Sequence, residues 1–244
     1  SPYDPYRMEL MGINEPPSIE HIFGTDTLGR DLFSVIWFGG RISLIIGLLS
    51  GLISTVIALI YGALAGLASD RVDDVMMRFT EIIMSIPQIL LVMFIQAMLG
   101  KPTVLTIGVV IGITGWMAVA KMVRSEVKQL RSADFVIAAR TMGGGFFYVL
   151  RVHLLPNLFS AIMFMVVTNI GSAIVMEATL SFLGLGLPTN IISWGSLMSL
   201  SQRAILTGCW WMVIIPGLFL VVTLICLTEI GEWIRIEGRK ERLL

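Results

Sequence analysis

"ISLIIGLLSGLISTVIALIYGALAGLA", residues 42–68, contains no charged side chain. A bilayer's apolar core is roughly 30 Å thick and is crossed by about 20 helical residues, so this stretch is long enough to span it. Four further apolar runs follow, near Ile82–Leu99, Val104–Ala120, Leu158–Leu180 and Trp210–Ile230. The composition agrees. Hydrophobic residues make up 56% of the 244 and charged residues 14%, against about 25% charged in soluble domains, and the mean hydropathy is +0.87. A soluble domain cannot hide that much apolar surface. The predicted fold is therefore all-α and polytopic, a helical bundle with five visible membrane spans. Gly62 and Gly66 form a GxxxG pair, expected to serve helix packing inside the bundle rather than a separate dimer.

Lysine and arginine set the expected orientation. If the connections after the first, third and fifth runs share one side, that side holds Arg71 and Arg78, then Lys121, Arg124, Lys128, Arg131, Arg140 and Arg151, then Arg235, Arg239, Lys240 and Arg242. The other side keeps Arg7, Arg30, Arg41, Lys101 and Arg203. The excess of basic residues marks the cytoplasmic side. Residues 1–40 then lie outside, which leads us to expect a membrane helix ahead of the first residue.

The cytoplasmic interruption reads "FVIAARTMGGGFFYVLRVHLLPN", residues 135–157. Ser132 or Asp134 can cap a short helix starting near Phe135. Phe135, Ala138, Ala139 and Met142 follow i, i+3, i+4, i+7 spacing and are expected on one face. Gly143 is placed to end the helix in a left-handed conformation, and Pro156 marks the entry to the next span. Two readings stand on this pattern: a knob that docks into a groove on a soluble partner, or an interfacial amphipathic helix with no partner.

"AARTMG" followed by "LLP" resembles the coupling-loop signature of ABC-importer permeases. The matching residues are Ala138, Ala139, Gly143, Leu155 and Pro156, and Ile137 replaces the usual Glu. "FGTDTLGRDLFSVIWFGGRISL" (residues 23–44) resembles the segment before a membrane helix in peptide/nickel-type permeases, with Val35 where an Arg is common. "EATLSFLGLGLP" with "SWGSLM" (residues 177–188 and 193–198) resembles the outer end of a later helix and its loop, without the second proline usual there. The resemblance implies a type I importer permease in a bacterial or archaeal cytoplasmic membrane. It implies an extracytoplasmic segment (1–40), a transmembrane domain (41–231) with a coupling loop (121–156) and an outer loop (181–209), and a cytoplasmic tail (232–244). Phe135, Ala138, Ala139, Arg140, Met142, Gly143, Leu155 and Pro156 would form the ATPase-coupling surface. The implied partners are a second related permease, two cytoplasmic ATPases that bind ATP and Mg, and an extracytoplasmic binding protein. This chain itself would bind no cofactor and no nucleic acid. Di- or oligopeptides are the implied cargo, with nickel or a metal chelate as the alternative. A self-contained channel or secondary transporter is the competing class.

Other chemistry finds little support. No GxxxxGK[ST] phosphate cradle, GxSxG elbow or HExxH pair occurs. Cys209 and Cys226 suggest neither a disulfide nor a metal site, and the chain is expected to hold no metal. His21 and His153 fall on opposite sides of the membrane in this topology. Asp70, Asp73 and Asp74, interleaved with Arg71 and Arg78, are expected in a solvated, self-compensated loop. Glu177 is an acid near the end of a span, and such a residue is a functional candidate. A place in the pathway or outer gate and a role in interfacial or helix packing are both open to it.

Overall fold

The computed structural model describes residues 2–131, 133–143, 145, 148, 155–188, 190–202, 204 and 208–240. In chain order their α-helices are α1 (Leu32–Leu67), α2 (Asp70–Met84), α3 (Gln88–Leu99), α4 (Val104–Thr114), α5 (Trp116–Arg131), α6 (Asp134–Thr141), α7 (Leu155–Phe182), α8 (Trp194–Leu200) and α9 (Trp211–Lys240). Helices α1, α7 and α9 are each long and apolar enough to cross a bilayer, and the bent pairs α2–α3 and α4–α5 bring the number of candidate spans to five.

The helices differ from the apolar runs in informative ways. Helix α1 starts at Leu32, well before the run at Ile42, because the Asp31 carboxylate accepts the Ser34 amide at 2.9 Å and caps the helix. Its 36 residues make a rod of about 54 Å, far longer than the bilayer's apolar core is thick. The second run is not one helix. Pro87 offers no amide hydrogen and keeps Ile86 out of helical geometry, so α2 and α3 meet at 80°. Helices α4 and α5 bend by 42° at Gly115. With 12 and 11 residues, α3 and α4 reach only about 18 and 16 Å, short of the bilayer's apolar core. Helix α9 continues to Lys240, so the expected tail from residue 232 is helical through that residue.

The acidic stretch near residue 70 is a correction. Asp70, Asp73 and Asp74 open α2 instead of forming a solvated loop. Asp73 is buried together with Met77 and Thr80, at i, i+4 and i+7 on the face turned to α1 and α5. There its carboxylate binds both Arg124 and Lys128, since a buried carboxylate needs such partners. The arginines and lysines of the sequence are therefore partly structural.

Helix α1 is the spine of the bundle, packing against α4, α5 and α7. Along it, small residues face each neighbour in turn. A Cβ on Gly51 would stand 2.5 Å from Ile170 of α7, and one on Gly62 would stand 2.5 Å from the Ala120 carbonyl oxygen of α5. Gly66 faces Val127 in the same way. The Gly62–Gly66 pair thus serves packing within this chain, as expected. Ser50 donates to the Gly108 carbonyl at 2.9 Å, which ties α1 to α4.

Placing a side chain at Gly62 must therefore push α5 away. We expect Gly62→Leu to destabilise the purified protein by about 1–3 kcal/mol, the usual range for overpacking, read as a lower thermal midpoint in detergent. Gly217→Ala, where nothing lies within 4 Å of the added Cβ, should melt like the parent.

Candidate functional site

Helix α6 follows α5 after a short break, where the Val136 and Ile137 amides both donate to the Ala133 carbonyl. It ends as the sequence predicts. The Met142 amide donates to the Ala138 carbonyl at 3.0 Å, and Gly143 follows with φ +89°, a conformation that glycine tolerates and other residues resist. The face composition differs from the expected one. Val136 is buried, and Ala139 packs half-buried against the cluster that includes Ala120, Val123 and Val127. The outward side instead carries Ile137, Ala138, Thr141 and Met142, all exposed. Ala139 is therefore not on the exposed knob, because the bundle takes one residue per turn from α6. Ile137, which the spacing argument passed over, joins Met142 on the outside. Met142 is 89% exposed and Ile137 49%, an apolar ridge on a short helix outside the bundle's core. The side chains of Phe135 and Arg140 lie outside the described residues. Leu155 and Pro156 form the start of α7, with their side chains also outside the described residues, as is all of His153.

The second candidate, Glu177, is fully buried within α7. Its carboxyl accepts hydrogen bonds from three serines: Ser43 of α1 at 3.1 Å, Ser181 of α7 at 2.8 Å and Ser193 at 2.8 Å. Ser193 is also the N-cap of α8, in a reciprocal capping pair with Ser196. The Ser43 hydroxyl in turn accepts the Trp194 amide at 3.2 Å, and the Trp194 indole donates to the Ile36 carbonyl at 3.0 Å. One carboxyl thus joins α1, α7 and the loop helix α8. Each of its hydroxyl partners comes from one of the stretches that carried the family resemblance, yet nothing in the sequence joined them to Glu177, and long sequence separation hid the Ser43 contact.

The GTD…GRD stretch closes the same end of the bundle. Asp26 accepts the amides of Leu28 and Arg30 at 2.8 and 2.9 Å and the Arg30 guanidinium at 2.7 Å, and both side chains are buried. Asp31 caps α1 and also meets the His21 imidazole at 2.9 Å. The Trp211 indole at the start of α9 donates to the Thr25 carbonyl at 3.2 Å. The two acids therefore fasten the N-terminal segment onto the start of α1, and the Trp211 indole ties that segment to α9.

Comparison with known proteins accords with this arrangement. The family model for "Binding-protein-dependent transport system inner membrane component" matches residues 58–235. The chain is 38% identical over 232 residues to the dipeptide transport system permease protein DppC of Bacillus subtilis (strain 168), covering 95% of this chain and 72% of that protein. It is 36% identical over 235 residues to the oligopeptide transport system permease protein OppC of the same organism, covering 96% and 76%. Its fold resembles a chain of the MetNI methionine ABC transporter in an inward-facing conformation, with TM-score 0.71 at 18% identity, covering 85% of this chain and 97% of that one.

The Glu177 cluster yields a graded prediction. Glu177→Gln keeps a side chain that can exchange hydrogen bonds with the three serines, and should cost about 0.5–1.5 kcal/mol, the net worth of one hydrogen bond. Glu177→Leu strands Ser43, Ser181 and Ser193 together and should cost more. Thermal melting of the two variants in detergent should rank them in that order below the parent.

Proposed function

Because the chain belongs to the family of binding-protein-dependent transport system inner membrane components, we propose that it is a permease subunit of an ATP-driven importer of di- or oligopeptides. The peptide cargo rests on the names of its relatives, which are dipeptide and oligopeptide permeases. The mechanism rests on α6. A solvent-exposed ridge of Ile137 and Met142, ended by a left-handed glycine and joined directly to α5, suits an apolar cleft on another protein. The basic residues around it would put it in the cytoplasm, where ATPases can reach it.

In this proposal two ATPases bind ATP and Mg, a second related permease completes the pathway, and an extracytoplasmic binding protein delivers peptide. This chain binds no cofactor and catalyses no covalent step. It converts the closing of the ATPases into movement of α6 and, through α6, of the helices packed behind it. Ile137, Ala138, Thr141 and Met142 touch the ATPase in this account. Val136 and Ala139 hold α6 to the bundle, and Gly143, Leu155 and Pro156 set the path of the chain on its far side. Glu177 acts as a fastener of the outer loop and not as a contact for cargo, since its carboxyl is fully buried among three hydroxyls.

Transport and ATPase retention in reconstituted vesicles test this. Gly143→Val forces a β-branched residue to φ +89°, and Met142→Asp puts a charge where an apolar contact is needed. Both variants should reach the membrane at parental levels, yet transport peptide at least about tenfold more slowly, a loss in the range of a binding hot spot. Parental transport and ATPase co-purification in both would refute the role of α6. Orientation has its own check: a cysteine at exposed Ser18 should react with an impermeant thiol reagent in intact cells or spheroplasts, and one at exposed Ser125 only after lysis.

A further inference from the structure

Between α2 and α5, a cavity of about 450 Å³ is lined by Asp74, Met77, Arg78, Glu81, Lys121 and Arg124. The chain itself marks its level in the membrane. Helix α5 is uncharged from Trp116 to Ala120, and Lys121 is its first cation. Beside that boundary the Tyr61 ring lies 4.7 Å from the Trp116 ring, and the Tyr61 hydroxyl donates to the Met76 carbonyl at 2.8 Å. Both rings belong to the packed interior behind the cavity, and the level is marked by the change from uncharged to charged residues along α5. The cavity therefore opens where the apolar core ends.

Helix α2 has the form of an interfacial helix. Asp73, Met77 and Thr80 face inward, while Val72, Val75, Phe79 and Ile82 are each at least 50% exposed and recur at i, i+3, i+7 and i+10. An outward apolar stripe beside charged flanks suits the boundary between headgroups and acyl chains. The charges around the cavity do not cancel. Asp73 binds Arg124 and Lys128, and Lys121 meets Glu81 at 3.3 Å. Arg78 and Asp74 add one charge of each sign. Four cations thus face three carboxylates, which leaves one positive charge beside an apolar stripe.

We propose that this cavity binds the phosphodiester group of a monoanionic membrane phospholipid. Arg78, Lys121 and Arg124 surround the phosphate, and the acyl chains lie along Val75, Phe79 and Ile82. The apolar stripe selects a lipid over a soluble phosphate, because a free anion gains nothing from it. Basic pockets at the headgroup level of membrane helices are suited to such lipids. The inference requires only that the chain span a bilayer, and it stands apart from the identity of the cargo.

Arg78 is the residue to change, because it is exposed and forms none of the ion pairs between α2 and α5 described above. The full complex, stripped of lipid and returned to mixed phosphatidylglycerol and phosphatidylcholine, would be examined by native mass spectrometry. The parent should retain phosphatidylglycerol in preference to phosphatidylcholine. Arg78→Gln should lower the retained phosphatidylglycerol about fivefold, the worth of one basic residue at an anionic surface, with an unchanged melting temperature in lipid-free detergent. Arg78→Lys should restore most of it. Equal retention by Arg78→Gln and the parent would overturn the proposal. So would displacement of the lipid by millimolar inorganic phosphate, which would identify a soluble-anion site. Efficient crosslinking of a Val75→Cys variant to another subunit would also overturn it, by showing the stripe covered by protein.

Discussion

Close approach to α1 is the constraint on which the rest of the bundle depends. In lipid, two helices gain little from hiding apolar surface from each other, because the surrounding chains are equally apolar, and contact must come from close packing and polar ties. Helix α1 meets three neighbours at once, and it does so through residues with little or no side chain. Gly47 and Gly51 admit Ile174 and Ile170 of α7, and Gly62 and Gly66 admit Val123 and Val127 of α5. The favour is returned on α4, where Gly108 and Gly112 admit Leu49 and Ile53 of α1. Knob and hollow alternate between partners, so each pair is fixed in rotation as well as distance.

The two ends of this spine are fastened by different chemistry. At the N-terminal end a single buried carboxyl gathers hydroxyls from α1, α7 and the α8 cap, and the Asp26–Arg30 and Asp31 fasteners complete the closure. At the other end α2 is held to α5 by ionic contacts, from Asp73 to Arg124 and Lys128 and from Glu81 to Lys121. Both ends bury a carboxyl, Glu177 at one and Asp73 at the other, and they differ in the partners that satisfy it. A short serine hydroxyl can satisfy a carboxyl where no water enters. Long arginine and lysine side chains can bury their stems and keep their heads at a wet boundary.

Much of this was legible in the sequence. The five apolar runs located the spans, and the spacing around residues 134–143 located α6 and its glycine stop. Periodicity failed where the third dimension decides. Ala138 and Ala139 are adjacent, and only the packing of α5 and α6 determines that one faces out and the other in. The aspartates near residue 70 looked solvated because arginines stood beside them in sequence. Asp70 and Asp74 are indeed exposed, but the partners of Asp73, Arg124 and Lys128 on α5, are 51 and 55 residues away. Glu177 could be singled out as an acid in a span, but its meaning lay in Ser43, 134 residues earlier. Local chemistry predicts that a buried charge needs a partner. It does not say which helix supplies one.

The two broken spans carry the last consequence of this packing. Ile86 and Pro87 at one break and Gly115 at the other line one cavity of about 160 Å³, together with Gln88, Thr114 and Met117. Both spans therefore change direction at one height, next to each other. On one side of that level α3 and α4 lie together and pack against α7. On the other side α2 and α5 are bound by ion pairs, and α5 leads directly into α6. Proline and glycine are the residues at which sharp helix bends characteristically occur. Displacing the α2–α5 pair relative to α3–α4 thus calls for dihedral changes at only these two points. Because the ionic contacts make α2 and α5 one body, a force on α6 that reaches α5 is delivered to both spans. Neither bend can then open alone without breaking the contacts of the buried Asp73 carboxylate.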